Sequence, residues 1–364
     1  MSARLYGRTM GNGSLAVVTA GFRRVLERES LLDGVYPLDR GGTSDEDEEP
    51  PGALARDGIF TGALNLLPLM LRNTRHERHW IQVTPNSTHI PPKLLGAVLK
   101  IPNVHILSAS DWGTSIIRAN LFEMGVTPEM VATPILTVHH GVHGFAPWAD
   151  ELQKTREDYR RGCFRVVHFS TSDGERKGTM ELLRAWKLFC SSSRAPDMPE
   201  LLLVLDHHAR EALVRRCVDE GLIIPPAVKL LPRADMGPAA MSRFLCQQHL
   251  VACPSRGEGF SLPPLEARAS GVPVITTVTT GNGAGHCHGP GVVRIHQPSR
   301  LYPIDDGPGA LALAVDPGSI VDALVTAHTA WEGLSGMCEA AAEQVRETWS
   351  WENQLAPLVA RLRA

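Results

Sequence analysis

Pro254-Ser-Arg-Gly-Glu-Gly-Phe-Ser-Leu-Pro-Pro-Leu-Glu-Ala267 is the stretch on which the reading of this chain turns. Before it, His249-Leu-Val-Ala-Cys253 is a short apolar run of the kind a buried parallel strand shows, and after it Leu262 to Ser270 has helical composition with Gly271 as a stop. The segment therefore reads as strand, tight loop, helix. Pro263 and Pro264 fit a first helical turn, where a missing N–H costs nothing, and Ser261 is placed to cap the exposed amides. In an open α/β sheet such a loop lies at the carboxyl end of a strand, where these folds bind ligands, and a helix start suits an anion. Glu258 falls in the loop and Glu266 in the early helix, so the expectation is a pair of carboxylates facing one crevice.

Working outward, short apolar runs alternate with helical patterns, which argues for α/β architecture. Arg4-Leu-Tyr6 reads as a first strand, then Gly11-Asn-Gly-Ser14 as a turn, then a helix with Leu15, Val18, Phe22 and Val25 at helical spacing. Trp80 to Thr84 precedes a helix from Pro91, and His105-Ile-Leu107 precedes one from Asp111. After Pro134 to Val138 and His139-His-Gly-Val-His-Gly144 the alternation restarts, with strands expected at 165–169, 201–205, 228–231, 250–253 and 272–276. Two Rossmann-like halves facing a cleft are the expected layout, with units at 1–144, 145–348 and a terminal helix at 349–364.

The quoted stretch resembles the E-x7-E signature of retaining glycosyltransferases of the GT-B fold, in particular those of family 4. The resemblance takes in Pro254-Ser255, Glu258-Gly-Phe260, Leu262-Pro263, Glu266-Ala267 and the following Gly271-Val-Pro-Val-Ile275. It extends from about residue 100 to 364: His139-His-Gly-Val142 is similar to the Asn-Gly-Val segment before the family's second domain, and Trp349-Ser-Trp-Glu352 to the start of its last helix. That helix commonly crosses back to the first domain. The resemblance implies that Glu258 contacts the transferred sugar, that the amides of Gly259, Phe260, Ser261 and Leu262 hold sugar hydroxyls and phosphate, and that Glu266 accepts hydrogen bonds from the ribose. A first domain of this type binds the acceptor, and the second binds the donor.

Arg176-Lys177-Gly178, expected at the start of the second domain's first helix after strand 165–169, places two cations beside a helix N-terminus, a setting that neutralises a diphosphate leaving group. Lys177 matches the family's Lys-Gly, whereas the Arg of its usual Gly-Arg pair is missing from Ser170-Thr-Ser-Asp-Gly174, and Arg176 stands as a replacement. Gly11 and Gly13 are candidates for close approach of backbone to the donor phosphates, and Arg233 belongs to the segment expected to recognise the base. Where relatives carry Thr-x-His, this chain has Thr84-Pro-Asn86; Asn86 is a candidate for the reacting centre, and Ser87, His89 and His140 are acceptor-side candidates, each equally readable as part of an ordinary turn or core.

Composition narrows the remaining classes. The 364 residues, 43% of them hydrophobic, supply enough apolar surface for two cores. With no apolar run long enough to span a bilayer and no basic-then-apolar start, the chain is expected to have no membrane-spanning segment and to stay in the cytoplasm. A net charge of −3 supplies no global attraction to nucleic acid, and seven scattered cysteines without C-x-x-C spacing read as reduced thiols. Asp45-Glu-Asp47 formally fits a D-x-D metal motif but lies in an acidic run of loop composition, and His286-Cys-His288 and His207-His208 lack further spaced ligands, so neither a metal nor a cofactor is expected.

The expectation is thus a retaining, front-face transfer of sugar from a nucleoside-diphosphate-sugar to a hydroxyl of an unidentified acceptor: a protein, a glycan, a small molecule or modified DNA. Two alternatives stay open. One is a catalytically idle protein that binds the nucleotide-sugar, suggested by the missing Arg and by Asn86; the other is a GT-B enzyme acting on modified DNA, for which Arg72, Arg75 and Arg78 supply some positive charge. Neither donor base nor oligomeric state is legible.

Overall fold

The computed structural model describes residues 2–9, 14–38, 55–62, 76–126, 135–170, 174–225, 227–296, 300–303 and 311–364. In chain order the elements are β1 (Ala3–Gly7), α1 (Ser14–Arg28), β2 (Leu32–Pro37), β3 (Asp57–Phe60), β4 (Arg78–Gln82), α2 (Pro92–Leu99), β5 (Val104–Ser108), α3 (Asp111–Glu123) and β6 (Leu136–Thr137). There follow α4 (Ala149–Arg160), β7 (Cys163–Phe169), α5 (Thr179–Cys190), β8 (Met198–Leu205), α6 (His207–Asp219), β9 (Val228–Pro232), α7 (Pro238–Cys246), β10 (Leu250–Cys253) and α8 (Leu262–Ala269). The chain ends through β11 (Val274–Thr276), β12 (Val292–Arg294), the hairpin β13 (Leu301–Pro303) and β14 (Leu311–Leu313), α9 (Pro317–Thr329), α10 (Trp331–Thr348) and α11 (Trp351–Arg363). Two compact units result, Met1–His143 with Trp349–Ala364, and Gly144–Thr348.

The first unit is built on a six-stranded sheet of order β2-β1-β3-β4-β5-β6, parallel throughout. α1 presents Val18, Phe22 and Val25 to a core shared with Trp351, Leu355 and Leu358 of α11. The aromatic start of α11 is therefore a packing device: Ser350 caps the helix by accepting from Asn353 N, and Trp351 stands edge-on to Phe22 at 6.2 Å. Two strands here lie outside the sequence expectations. β2 is interrupted by Gly34, ends on Pro37 and is only half-buried along its edge, and β3 has just two strongly apolar residues, Ile59 and Phe60, both fully buried.

The second unit carries a second parallel six-stranded sheet, of order β12-β11-β10-β7-β8-β9. Its chain runs outward through β7, β8 and β9, then returns to place β10 on the other side of β7. The point at which an open sheet reverses its strand order is where its ligand crevice opens, because the loops after the two central strands diverge there. Among the described residues, those loops include Gly174 to Gly178 before α5 and Pro254 to Ser261 after β10. As expected, the first helix after β7 is α5, which follows Arg176 and Lys177; a further helix of the unit, α4, precedes β7. α4 is strongly polar and buries only Glu151, Leu152 and Thr155, which leaves it with a weak apolar stripe. Among the described residues no helix is long and apolar enough to cross a membrane, and all seven cysteines are free thiols.

Candidate active site

The loops after β7 and β10 meet at Glu258. Its carboxylate is buried and ion-paired twice, Oε1 accepting from Lys177 Nζ at 2.5 Å and Oε2 lying 3.1 Å from Arg176 Nη1. Oε1 also accepts from Ser255 Oγ at 2.7 Å. Burial alone would raise the pKa of this carboxyl, but the charges of Lys177 and Arg176, with hydrogen bonds from Lys177 and Ser255, outweigh it and hold the group at about 2. Arg176 is itself buried, and its Nη1 donates to Gly257 O at 2.8 Å, so the guanidinium ties the turn before α5 to the loop after β10. The backbone repeats that tie, since Arg256 N donates to Arg176 O at 2.8 Å.

This close approach depends on Gly178. It has φ of +69° at the start of α5, and a Cβ there would fall 2.1 Å from Pro254 O. Beneath it, His168 Nδ1–H donates to Ala252 O at 2.9 Å, so Nε2 accepts from Thr179 Oγ at 3.0 Å, and Thr179 Oγ in turn accepts from Ser170 Oγ at 2.8 Å. Burial holds His168 neutral, with a pKa of about 4, which is the state this chain of hydrogen bonds needs. Arg256 points to the other side of the loop and pairs with the buried Glu181 of α5 at 2.5 Å.

Glu266 differs from Glu258 in every respect that matters chemically. It lies on α8, half-buried, and among the described residues its carboxylate takes part in no hydrogen bond. Burial pushes its pKa up to about 7, against the weaker opposing charge of Arg233, which sits exposed beyond β9. A carboxyl poised near neutrality beside an open helix start is suited to accept hydrogen bonds from a ligand that enters.

Between the two glutamates, Gly259, Phe260, Ser261 and Leu262 are all buried, and Ser261 corrects an expectation. It occupies the N-cap position of α8 but forms no side-chain cap; its backbone stands at φ 70° and ψ 94°, away from the extended conformation in which a serine hydroxyl reaches the amides of the first turn. With Pro263 and Pro264 lacking N–H groups, Leu262 carries the only N–H of the first three helical positions.

In the first unit, Asn86 is half-buried in the turn after β4, and Ser87 Oγ donates to His89 O at 3.2 Å while accepting from His89 N at 3.4 Å, which closes a local turn. His140 is buried beside Trp351 and accepts from Gln82 Nε2 at 2.7 Å; burial, reinforced by His139, drops its pKa to about 3. The structure thus brings Glu258, Lys177 and Arg176 into one cluster and sets His140 in the core of its own unit. Gly11, Gly13, Asp45, Asp47, Arg72 and Arg75 lie outside the described residues. Residues to which sequence reasoning gave no individual role in the site are Ser255, Arg256 and Thr280, whose Oγ accepts from Glu258 N at 3.1 Å, together with His286, weighed only as a metal ligand and found buried in the core. Only Ser255 and Arg256 sit inside the motif; Thr280 and His286 reach it from more than twenty positions away in the chain, with no local signal.

Two parallel sheets of this topology, each wrapped by helices, define the GT-B fold. Residues 164–317 match the family model described as glycosyl transferases group 1, which makes the chain an enzyme of the glycosyltransferase class. Among solved structures, sucrose-phosphate synthase from Thermosynechococcus elongatus is similar over 100% of this chain and 98% of its own, with TM-score 0.67 and 13% identity. HepE of Anabaena, seen in complex with UDP and glucose, is similar over 99% of this chain and 100% of its own, with TM-score 0.63 and 15% identity. A glycosyltransferase from Rickettsia africae matches over 100% and 97%, with TM-score 0.60 and 13% identity. No curated protein matches the chain by sequence.

Proposed function

We propose that this protein is a retaining glycosyltransferase of the family 4 type, moving a sugar from a nucleoside-diphosphate-sugar to an acceptor hydroxyl by a front-face mechanism. The observation that carries this reading is the buried cluster of Glu258, Lys177 and Arg176 at the strand-order reversal of the second sheet. Breaking the glycosidic bond leaves both bonding electrons on the diphosphate oxygen, and a preorganised pair of cations stabilises that charge without reorganising. Lys177 and Arg176 are such a pair, and Glu258 holds them in register while it orients the sugar. The leaving diphosphate takes the proton of the incoming hydroxyl as the new bond forms on the same face. Glu266 accepts from the ribose hydroxyls, and Arg233 lies on the side of the base.

In this reading the two cations do the charge neutralisation, so turnover proceeds without a metal or other cofactor. Seven free thiols suit a reducing compartment, and we place the protein in the cytoplasm. A UDP-sugar is the first donor to try, because HepE is seen bound to UDP-glucose. A thermal-shift screen over UDP-, GDP-, ADP- and dTDP-glucose tests the reading, since a ligand that binds only the folded state raises its melting temperature. Stabilisation by one of them, with EDTA-insensitive release of its nucleoside diphosphate, supports the transferase. Stabilisation without release in the presence of pooled glycan, peptide, small-molecule and hydroxymethylated-DNA acceptors points to an idle nucleotide-sugar-binding protein, and no stabilisation by any donor sinks the reading.

A further inference from the structure

Ser261 stands in the loop with a positive φ of 70°, outside the conformations usual for a residue with a side chain. A positive φ is unfavourable for a residue with a side chain and persists only where the surroundings over-determine it. What over-determines it here is His286. This histidine is fully buried in the single turn Gly285–Cys287, and its Nε2–H donates to Ser261 O at 3.0 Å. Its ring lies flat on Phe260, with centroids 4.1 Å apart and planes at 17°. The histidine's own carbonyl accepts from Arg268 Nη1 of α8 at 2.5 Å, so the helix that Ser261 precedes holds the residue that holds Ser261.

The same segment grips the loop at its other end. Thr280 Oγ accepts from Glu258 N at 3.1 Å, and Gly281 N donates to Glu258 O at 2.7 Å. Any side chain at Gly281 would fall 2.3 Å from the carbonyl oxygens of Glu258 and Gly259. Residues 280–287 therefore brace the loop from Glu258 to Ser261 along its whole length.

From this geometry we infer that His286 is a positioning residue for donor binding: by fixing the direction of the Ser261 carbonyl, it fixes the opposite direction of the Leu262 N–H. In a trans peptide the C=O and the following N–H point to opposite sides. A carbonyl pinned towards His286 thus leaves the amide of Leu262 aimed away from it. Because Pro263 and Pro264 carry no N–H, that amide is the only donor available in the first three positions of α8, and its aim decides whether the helix start can hold a diphosphate or sugar oxygen. His286 touches neither donor nor reacting atoms in this account; it acts through the 261–262 peptide. The inference rests on the donor reading of the Glu258 loop given above.

The test separates the hydrogen bond from the ring. His286→Gln carries an amide N–H at about the reach of Nε2 and gives up the stacked ring, whereas His286→Phe keeps a ring on Phe260 and gives up the donor. Both are compared with the natural protein by isothermal titration, using whichever of UDP-, GDP-, ADP- and dTDP-glucose binds it, with thermal unfolding to show that each variant is folded. The expected result is a dissociation constant within about threefold of the natural protein for His286→Gln and about tenfold weaker for His286→Phe. A His286→Phe variant that binds as tightly as the natural protein overturns the inference, and so does a His286→Gln variant that is weaker than His286→Phe, since either assigns the histidine to packing alone. If the natural protein binds none of the four, the donor reading itself fails and takes the inference with it.

Discussion

Lys177 Nζ and Glu258 Oε1 stand 2.5 Å apart across two loops eighty-one positions distant in sequence, and the carboxylate they share with Arg176 is almost wholly shielded from solvent. Pairing of this kind is costly to break from one side, because the remaining charges stay buried without a counter-ion. Glu258→Ala should therefore lose about 3–5 kcal/mol of stability, and turnover should fall on the order of a hundredfold through lost orientation of the sugar. A nucleoside diphosphate brings the missing negative charge. It should raise the melting temperature of Glu258→Ala more than that of the natural protein, and an equal or smaller rise by differential scanning calorimetry would detach the cluster from the diphosphate.

The same carboxylate supplies an acid dependence whose sign follows from its depressed pKa. Glu258 titrates at about 2 in the folded chain against an ordinary value of 4.5. Its stabilising contribution, on the order of 3 kcal/mol at 1.36 kcal/mol per pKa unit, is complete above the unfolded pKa and is lost as pH falls from about 4.5 towards 2. Glu258→Gln should flatten that part of the stability profile. Urea unfolding at pH 3, 4 and 6 reads the difference between the two proteins directly; parallel profiles would show that the folded structure does not retain these ion pairs in solution.

Glu266 predicts the opposite slope near neutrality. Its folded pKa of about 7 exceeds the ordinary 4.5, so the folded state holds a proton that the unfolded state has released, and stability declines as pH rises from about 4.5 to 7. Ribose hydroxyls that donate to Glu266 require the carboxylate. Affinity for a sugar nucleotide, whose doubly esterified diphosphate keeps a constant charge, should then rise up to tenfold per pH unit below about 7 and level off above it. Glu266→Gln should remove the slope, and Glu266→Ala should weaken binding about ten- to hundredfold, the loss expected for charge-assisted hydrogen bonds. Isothermal titration at pH 5.5, 6.5 and 8 decides; a flat profile in the natural protein takes Glu266 away from the ribose.

How much of this was legible in the sequence depends on the range of each interaction. The strand, loop and helix around Glu258 were readable because a short apolar run, a pair of prolines and Gly271 are local signals. β2 and β3 were not, since Gly34, Pro37 and a four-residue span leave no alternation to count. Arg176 and Lys177 were read as a clamp, but their pairing with Glu258 emerges only when β10 inserts beside β7. Ser261 looked like a cap because serine at that position usually is one; the contact from His286, twenty-five residues away, turns its backbone and removes that option.

That strained serine is also where stability can be regained. At φ 70° a glycine pays no penalty for its missing Cβ, so Ser261→Gly should stabilise the fold by about 1 kcal/mol after the extra chain entropy of glycine is set against the relieved strain. Gly178→Ala should do the reverse, because a methyl group 2.1 Å from Pro254 O at φ of +69° cannot be accommodated without moving one of the two loops. Chemical unfolding of both variants tests the pair, and a destabilised Ser261→Gly would mean that the serine side chain holds the loop in a way the hydrogen bonds of its neighbours do not.

The clamp makes the sharpest kinetic prediction, because Arg176 is engaged with Glu258 and with Gly257 O whereas Lys177 is engaged with Glu258. If both cations stabilise charge growing on the diphosphate, Arg176→Ala and Lys177→Ala should each lower turnover by roughly 2.7–4 kcal/mol, the loss seen when one preorganised donor is removed from a charge-stabilising site. The double variant should lose less than the sum, since the two serve one leaving group and share one carboxylate. Arg176→Lys should recover only part, because an ammonium cannot reach Gly257 O and Glu258 together as the planar guanidinium does. Single-turnover rates at saturating donor measure all four. Should Arg176→Ala turn over normally while Lys177→Ala is crippled, Arg176 serves only to fasten the turn before α5 to the Glu258 loop, and Lys177 carries the leaving group without it.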